Sequence, residues 1–238
     1  MIIIGHRGAR ATRPENTIAA LREGSRWSDY VEIDVRISRD GVPVVIHDPT
    51  LDRTTDGTGF VRDYTLAELK ALDAGEGERI PTLAEVLALD IGECGLVIEL
   101  KEGGYEEQVA TLVEEAGLSK VLIVSFDADC LRRIALQLPD AGIGYIFRSP
   151  GADPVRVAAS IPASYILLRF IDMTEELRDL SQRADLNVIV WTLNSDKAYA
   201  EASKIGVEGV VTDDPSSAWS FFCSLRNVRD AEKDPFDS

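Results

Sequence analysis

The chain has 238 residues, 45% of them hydrophobic, and its 41 acidic against 25 basic side chains give a net charge of −16 and an isoelectric point near 4.5. That length suits one domain with a substantial core, and so acidic a surface argues against nucleic acid and anionic membranes as partners. The three cysteines, at 94, 130 and 223, lack metal-ligand spacing and read as free thiols of a cytoplasmic protein, and no apolar run approaches the roughly 20 residues of a membrane span.

Residues 2–4 form a short, wholly apolar strand that runs into Gly5-His6-Arg7-Gly8. With no basic leader and no cleavage site, this start is a strand rather than a signal peptide. Pro14-Glu15-Asn16-Thr17 opens a helix, because proline and an acid suit a first turn, and Ile18 and Leu21 supply its inner face. From Tyr30 onward, Val31, Ile33, Val35 and Ile37 alternate with Glu32, Asp34, Arg36 and Ser38, which is the period of a strand. Glu32 and Asp34 therefore share a face, about 7 Å apart at a rise of roughly 3.3 Å per residue. Asp40-Gly41 signals a hairpin, and the returning run 42–46 delivers His47 and Asp48. Taken alone, the stretch also fits a half-exposed strand with a solvated acidic face.

Residues 49–80 are polar and turn-rich, with a capping box from Thr65 to Glu68 ahead of L-A-E-L-K-A-L. They read as an insertion at the mouth of the fold, and Ile80-Pro81-Thr82 leads into the next helix. A regular alternation follows. Strands are expected at 96–100, 121–126, 142–147, 165–170, 187–193 and 207–212. Helices are expected at 105–116, up to 138, from 154, at 175–184, up to 205 and at 215–225. With the two earlier strands this makes eight, mostly continuous apolar runs, as strands covered on both faces require. The fold class is α/β: a (β/α)8 TIM-type barrel over residues 1–225 with a small insertion after the second strand. An open doubly wound sheet is the alternative. Residues 226–238 read as a charged tail.

In such a barrel the active site sits at the carboxyl ends of the strands. Those ends carry His6 and Arg7, Glu32 and Asp34, Glu99 and Lys101, then Ser125, Arg148, Arg169, Trp191, Asn194 and Asp213. The chain's two histidines, His6 and His47, both fall on this rim, and imidazoles near neutral pH suit one base and one acid. Glu99 and Lys101, two residues apart on one strand, face the same way. They form either a surface ion pair of little worth or part of a site. In the second reading Glu99 joins Glu32 and Asp34 around one hard divalent cation, Mg2+ or Ca2+. Arg7 and Lys101 then hold an anionic phosphate. Trp191 walls the pocket, with a place in the core as its alternative. Asp213-Asp214-Pro215 is expected to cap the last helix, and Asn16 to trim the rim or cap the first. Gly5 and Gly8 permit close backbone approach.

The motifs H-R-G-A at 6–9, P-E-N-T at 14–17, E-I-D-V at 32–35, D-G-V-P-V-V-I-H-D at 40–48, P-T-L-D-R-T-T at 49–55, E-L-K at 99–101 and W-T-L-N at 191–194 occur in family order. On them the chain resembles the glycerophosphodiester phosphodiesterase family over essentially its whole length. The resemblance implies a TIM-type barrel, one divalent cation, and cleavage of a small-molecule glycerophosphodiester into glycerol phosphate and an alcohol. It matches the family's histidines to His6 and His47, its metal carboxylates to Glu32, Asp34 and Glu99, and its phosphate-binding cations to Arg7 and Lys101. Ser38 and Leu100 stand where threonine and isoleucine are commoner, away from the chemistry. Two other readings are a lipid phosphodiesterase or lyase of the phospholipase or sphingomyelinase D type, and a non-catalytic binding module on the same barrel.

Overall fold

The computed structural model describes residues 1–148 and 153–232. In chain order its elements are β1 (Ile2–Gly5), α1 (Ile18–Gly24), β2 (Tyr30–Ile37), β3 (Pro43–Val45), α2 (Leu66–Ala71), α3 (Leu83–Leu87), β4 (Gly95–Leu100), α4 (Glu106–Ala116) and β5 (Val121–Ser125). They continue with α5 (Ala128–Gln137), β6 (Gly142–Phe147), α6 (Pro154–Ala159), β7 (Tyr165–Arg169), α7 (Glu175–Arg183), β8 (Asn187–Trp191), α8 (Asp196–Ile205), β9 (Gly209–Thr212) and α9 (Pro215–Glu232). Eight of the strands run parallel in the order β1-β9-β8-β7-β6-β5-β4-β2, and β1 also pairs with β2, which closes a (β/α)8 barrel. The ninth, β3, lies antiparallel along the end of β2.

Each barrel strand is buried on two faces. Ile4, Val97, Leu122, Val124, Ile146, Leu167, Ile189 and Val211 fill the interior. Residues of the opposite parity, such as Val31, Ile33, Leu96 and Ile98 on one side and Ile166, Val188 and Val210 on the other, pack outward under the helices. Truncating one of these to alanine costs about 2–5 kcal/mol. The helices start on caps legible in the sequence: Thr65 with Glu68, and Thr82 with Glu85, both form capping boxes. The segment between β3 and α3 has an apolar cluster of its own, built from Val44, Ile46, Leu51, Val61, Leu69, Ala74 and Ile80.

Several boundaries differ. The first helix starts at Ile18, because Asn16 sits in the left-handed region at φ 58° and Thr17 takes the cap by accepting from the Ala20 N–H at 3.2 Å. The strand expected to reach 170 ends at Arg169, where Phe170–Asp172 turn as a 3-10 helix, and the strand expected to reach 193 ends at Trp191. The last helix continues through Glu232, so residues 226–232, expected as tail, extend it, while 233–238 lie outside the described residues.

Candidate active site

The acids come together through strand register. Glu32 and Asp34 take the inward parity of β2, while Val31, Ile33 and Val35 pack outward. β4 lies parallel beside β2 with Glu32 opposite Val97 and Asp34 opposite Glu99. Glu32, Asp34 and Glu99 can each present a carboxylate oxygen so that all three lie within 4.8 Å of one another. Such crowding in a buried place raises the proton affinity of a carboxylate. Burial, then the neighbouring Asp34 and Glu99, push Glu32 well above its ordinary pKa, and burial followed by Asp34 raises Glu99. Burial pushes Asp34 the same way, but Lys101 and Arg7 outweigh it and hold Asp34 down at about 2. Asn16 pins it further, donating from Nδ2 at 2.8 Å and accepting the Asp34 backbone N–H at 3.2 Å. Asn16 is thus a brace for Asp34 and not a helix cap.

The imidazoles arrive by two routes. His6 follows β1, tied by its backbone N–H to the Thr212 carbonyl at 2.8 Å. Gly8, at φ 85°, lets the chain turn directly against α1, where a Cβ would lie 2.4 Å from the Ala20 carbonyl carbon. His47 follows the hairpin. β2 overshoots the barrel, turns at Gly41 and returns, so that the Ile46 N–H donates to the Asp34 carbonyl at 2.9 Å and His47 comes back to the level of the acids. Each ring is braced alike: His6 Nδ1 lies 2.7 Å from Asp213 Oδ1, and His47 Nδ1 lies 2.6 Å from Asp48 Oδ1. With both carboxylates ionised, Nδ1–H is the donor in each ring and Nε2 is left unprotonated. Burial first, then the charge on Arg7, lowers the His6 pKa below 6.5; burial, with Lys101 and Arg7, lowers His47.

Asp213 therefore does not cap the last helix. Asp214 does so, accepting the Ser217 N–H at 3.0 Å. Asn194 holds Asp213 in place, donating from Nδ2 to Oδ2 at 2.8 Å and accepting the Asp213 N–H at 2.9 Å. The sequence offered one signal for this role, a carboxylate directly after the last strand. Glu15 and Arg53 fall inside the motifs at 14–17 and 49–55, but nothing local showed that they meet behind Asp48.

Arg7 and Lys101 lie against the acids. Arg7 stands in the left-handed region at φ 52°, so that its backbone N–H reaches Glu32 Oε2 at 2.8 Å and its Nη1 reaches Glu15 Oε1 at 2.6 Å. Its Nε lies 3.2 Å from Asp34 Oδ2 without the alignment of a hydrogen bond, and among the described residues it has no hydrogen-bond partner. Lys101 Nζ lies 2.6 Å from Glu99 Oε1 and 3.2 Å from Asp34 Oδ1. These cations, both histidines, Glu32, Glu99 and Trp191 line one cavity that opens at the barrel mouth. Its other wall is apolar, from Val124, Phe126, Ile146, Leu167 and Val211, with the Arg148 guanidinium over the Phe126 ring at 4.6 Å. Two other rim residues are engaged elsewhere: the Ser125 hydroxyl donates to the Leu100 carbonyl at 2.8 Å, and Arg169 pairs with Asp172 at 2.6 Å.

Three carboxylates against two cations leave the cluster one negative charge in excess, and the donors are all hard oxygens. That set fits a hard divalent cation such as Mg2+ or Ca2+. The profile of the glycerophosphoryl diester phosphodiesterase family matches residues 6–217. This chain belongs to that family. It is 36% identical over 231 residues to the glycerophosphodiester phosphodiesterase of Caldanaerobacter subterraneus, covering 91% of this chain and 95% of that relative. A phosphodiesterase of Oleispira antarctica, solved in complex with the product sn-glycerol-3-phosphate, superposes with a TM-score of 0.85 at 29% identity over 93% of this chain and 96% of that one. The glycerophosphodiester phosphodiesterase of Agrobacterium tumefaciens gives 0.81 at 32% identity, covering 92% of this chain and 99% of that one. Among the described residues no helix is long and apolar enough to cross a membrane.

Proposed function

We propose that this protein hydrolyses glycerophosphodiesters to glycerol phosphate and an alcohol, with His6 and His47 as proton carriers and one divalent cation held by Glu32, Asp34 and Glu99. The observation that carries this reading is the meeting of a three-carboxylate cluster and two carboxylate-braced imidazoles on one cavity of a family member. The Oleispira antarctica relative, which holds sn-glycerol-3-phosphate, supports the product class.

A bound cation supplies Lewis-acid neutralisation of the charge that develops on the phosphoryl oxygens. The protein's own groups do the rest. Arg7, with a buried Nε that lacks a partner among the described residues, and Lys101 hold the phosphate, the first as a planar fork and the second as a point charge. His6 is the more enclosed ring, its side chain 17% exposed against 26% for His47. We assign it the base: Nε2 takes the proton of the attacking hydroxyl. When that hydroxyl is the glycerol 2-hydroxyl, its oxygen bonds to phosphorus and the bond to the leaving alcohol breaks, giving a cyclic phosphate. His47, as an imidazolium held at Nδ1 by Asp48, gives the departing alkoxide its proton. Water then opens the ring with the two roles reversed. Trp191 and the apolar wall flank the carbon skeleton of the substrate.

No observation favours the lipid phosphodiesterase or the binding module. Residues 49–80, at the mouth, are polar, and every residue the chemistry needs is present. Product analysis by phosphorus NMR on glycerophosphocholine, glycerophosphoethanolamine and glycerophosphoglycerol tests the reading. Glycerol phosphate and the free alcohol are expected from at least one of them. Turnover of lipid vesicles with none of these consumed would overturn it.

A further inference from the structure

Arg53 lies in the polar insertion, five positions after Asp48, and its guanidinium is engaged on two sides. Nε donates to Asp48 Oδ2 at 2.6 Å and Nη2 to Asp48 Oδ1 at 3.2 Å. On its other edge Nη1 donates to Glu15 Oε2 at 2.8 Å and Nη2 to Glu15 Oε1 at 2.7 Å. Asp48 Oδ1 is the atom that faces His47 Nδ1, and Glu15 Oε1 is the atom that takes Arg7 Nη1. A ladder of alternating charge therefore runs from Arg7 through Glu15, Arg53 and Asp48 to His47. Asp48 alone, on a side chain 24% exposed and next to His47 in the chain, has little else to fix the plane of its carboxylate. The fork of Arg53 fixes that plane, and Glu15, only 11% exposed, fixes the fork.

Among the described residues, the carboxylate behind the other imidazole has no such arginine fork. Arg10 Nε stands 3.5 Å from Asp213 Oδ1 and 3.9 Å from Glu15 Oε2, both beyond hydrogen-bond reach, and Asn194 holds Asp213 instead. We propose that Arg53 is a positioning residue for His47, which it holds in its working tautomer and orientation through Asp48, anchored on Glu15 of the β1–α1 loop. The insertion then completes the active site instead of merely bordering it. The inference rests on the reading of His47 as a proton carrier.

The competing view makes Arg53, 44% exposed, a surface ion pair worth about 0–1 kcal/mol and nothing to the rate. Steady-state kinetics on glycerophosphocholine, with melting temperatures recorded for every variant, separates the two. Arg53→Met should lower kcat by about 10–100-fold, the usual loss when an outer partner of a functional side chain is removed, with KM little changed. Arg53→Lys, which keeps the charge without the fork, should fall between Arg53→Met and wild type, and Arg10→Met should stay close to wild type. Because Arg53 acts only through His47, adding Arg53→Met to His47→Asn should cause no further loss. An equal loss of kcat in both backgrounds, or an unchanged kcat in folded Arg53→Met or Arg53→Lys, would overturn the proposal and leave the enzymatic reading standing. Full turnover by His47→Asn would overturn both.

Discussion

The two walls of the cavity are opposites. β1, β2, β3 and β4 and the turns that follow them bring His6, Arg7, Glu32, His47, Glu99 and Lys101 to it, whereas β5 to β9 bring Val124, Ile146, Leu167, Trp191 and Val211. The apolar wall is the barrel core carried up to the mouth, and each of its residues stabilises the fold by leaving water. The charged wall gains nothing that way. Its three carboxylates crowd one another, and only Arg7, Lys101 and the braces around them make that arrangement tolerable. Substitutions on the charged wall should therefore remove rate and leave the fold intact, and substitutions on the apolar wall should do the reverse.

The largest effect that sharpens this contrast is on rate. His47→Ala should lose about 10²–10⁴ in kcat and melt within a degree or two of wild type, as calorimetry and turnover on the same sample will show. Undiminished turnover at an unchanged melting temperature would remove His47 from the mechanism. Next in size, Leu167→Ala on the opposite wall should cost about 2–5 kcal/mol in denaturant unfolding, with kcat within a few-fold of wild type in the folded fraction.

Cation binding comes third. At one hundred times its dissociation constant, Mg2+ or Ca2+ should stabilise the protein by about 2.7 kcal/mol. For a chain of this size that is a melting shift of roughly 5–10 °C. Glu99→Gln should lose most of that shift, and an equal shift in the variant would place the ion elsewhere.

The smallest effect is a dependence on pH. Glu32 has a raised pKa when folded, so the native state binds its proton more tightly than the unfolded chain does. Its contribution is favourable at low pH and is lost as the pH rises from its ordinary 4.5 through the raised value. His6 and His47, lowered from 6.5, act in the opposite direction over part of that range, so the comparison must be between variants. In chelator, the stability of Glu32→Gln relative to wild type should climb as pH rises above 4.5. A constant difference would mean that the crowding of the acids is relieved in some other way.

What the sequence disclosed follows the range over which its signals act. The period-two alternation at 31–38 placed Glu32 and Asp34 on one face without any structure, and the hairpin at Asp40-Gly41 returned His47 to them. Glu99 was legible as a strand-end carboxylate and within the E-L-K motif, but its place opposite Asp34 depends on the register of β4 on β2, which no local pattern encodes. The braces were harder still. Asp213 meets His6 across 207 positions, and Arg53 meets Glu15 across 38. Their residue types are common in loops, and only tertiary contact gives them a role. The misplaced start of α1 has a similar cause: Asn16 leaves the helical region to reach Asp34, and that contact overrides the preference of Pro14 and Glu15 for a first turn.

The decisive measurement is a cation titration of turnover: strip the enzyme with EDTA, remove the chelator, and follow glycerol phosphate release as Mg2+ or Ca2+ is returned. The convergence of Glu32, Asp34 and Glu99 between two imidazoles predicts no activity in the stripped enzyme and full recovery at one cation per chain. Full turnover by the stripped enzyme would contradict it.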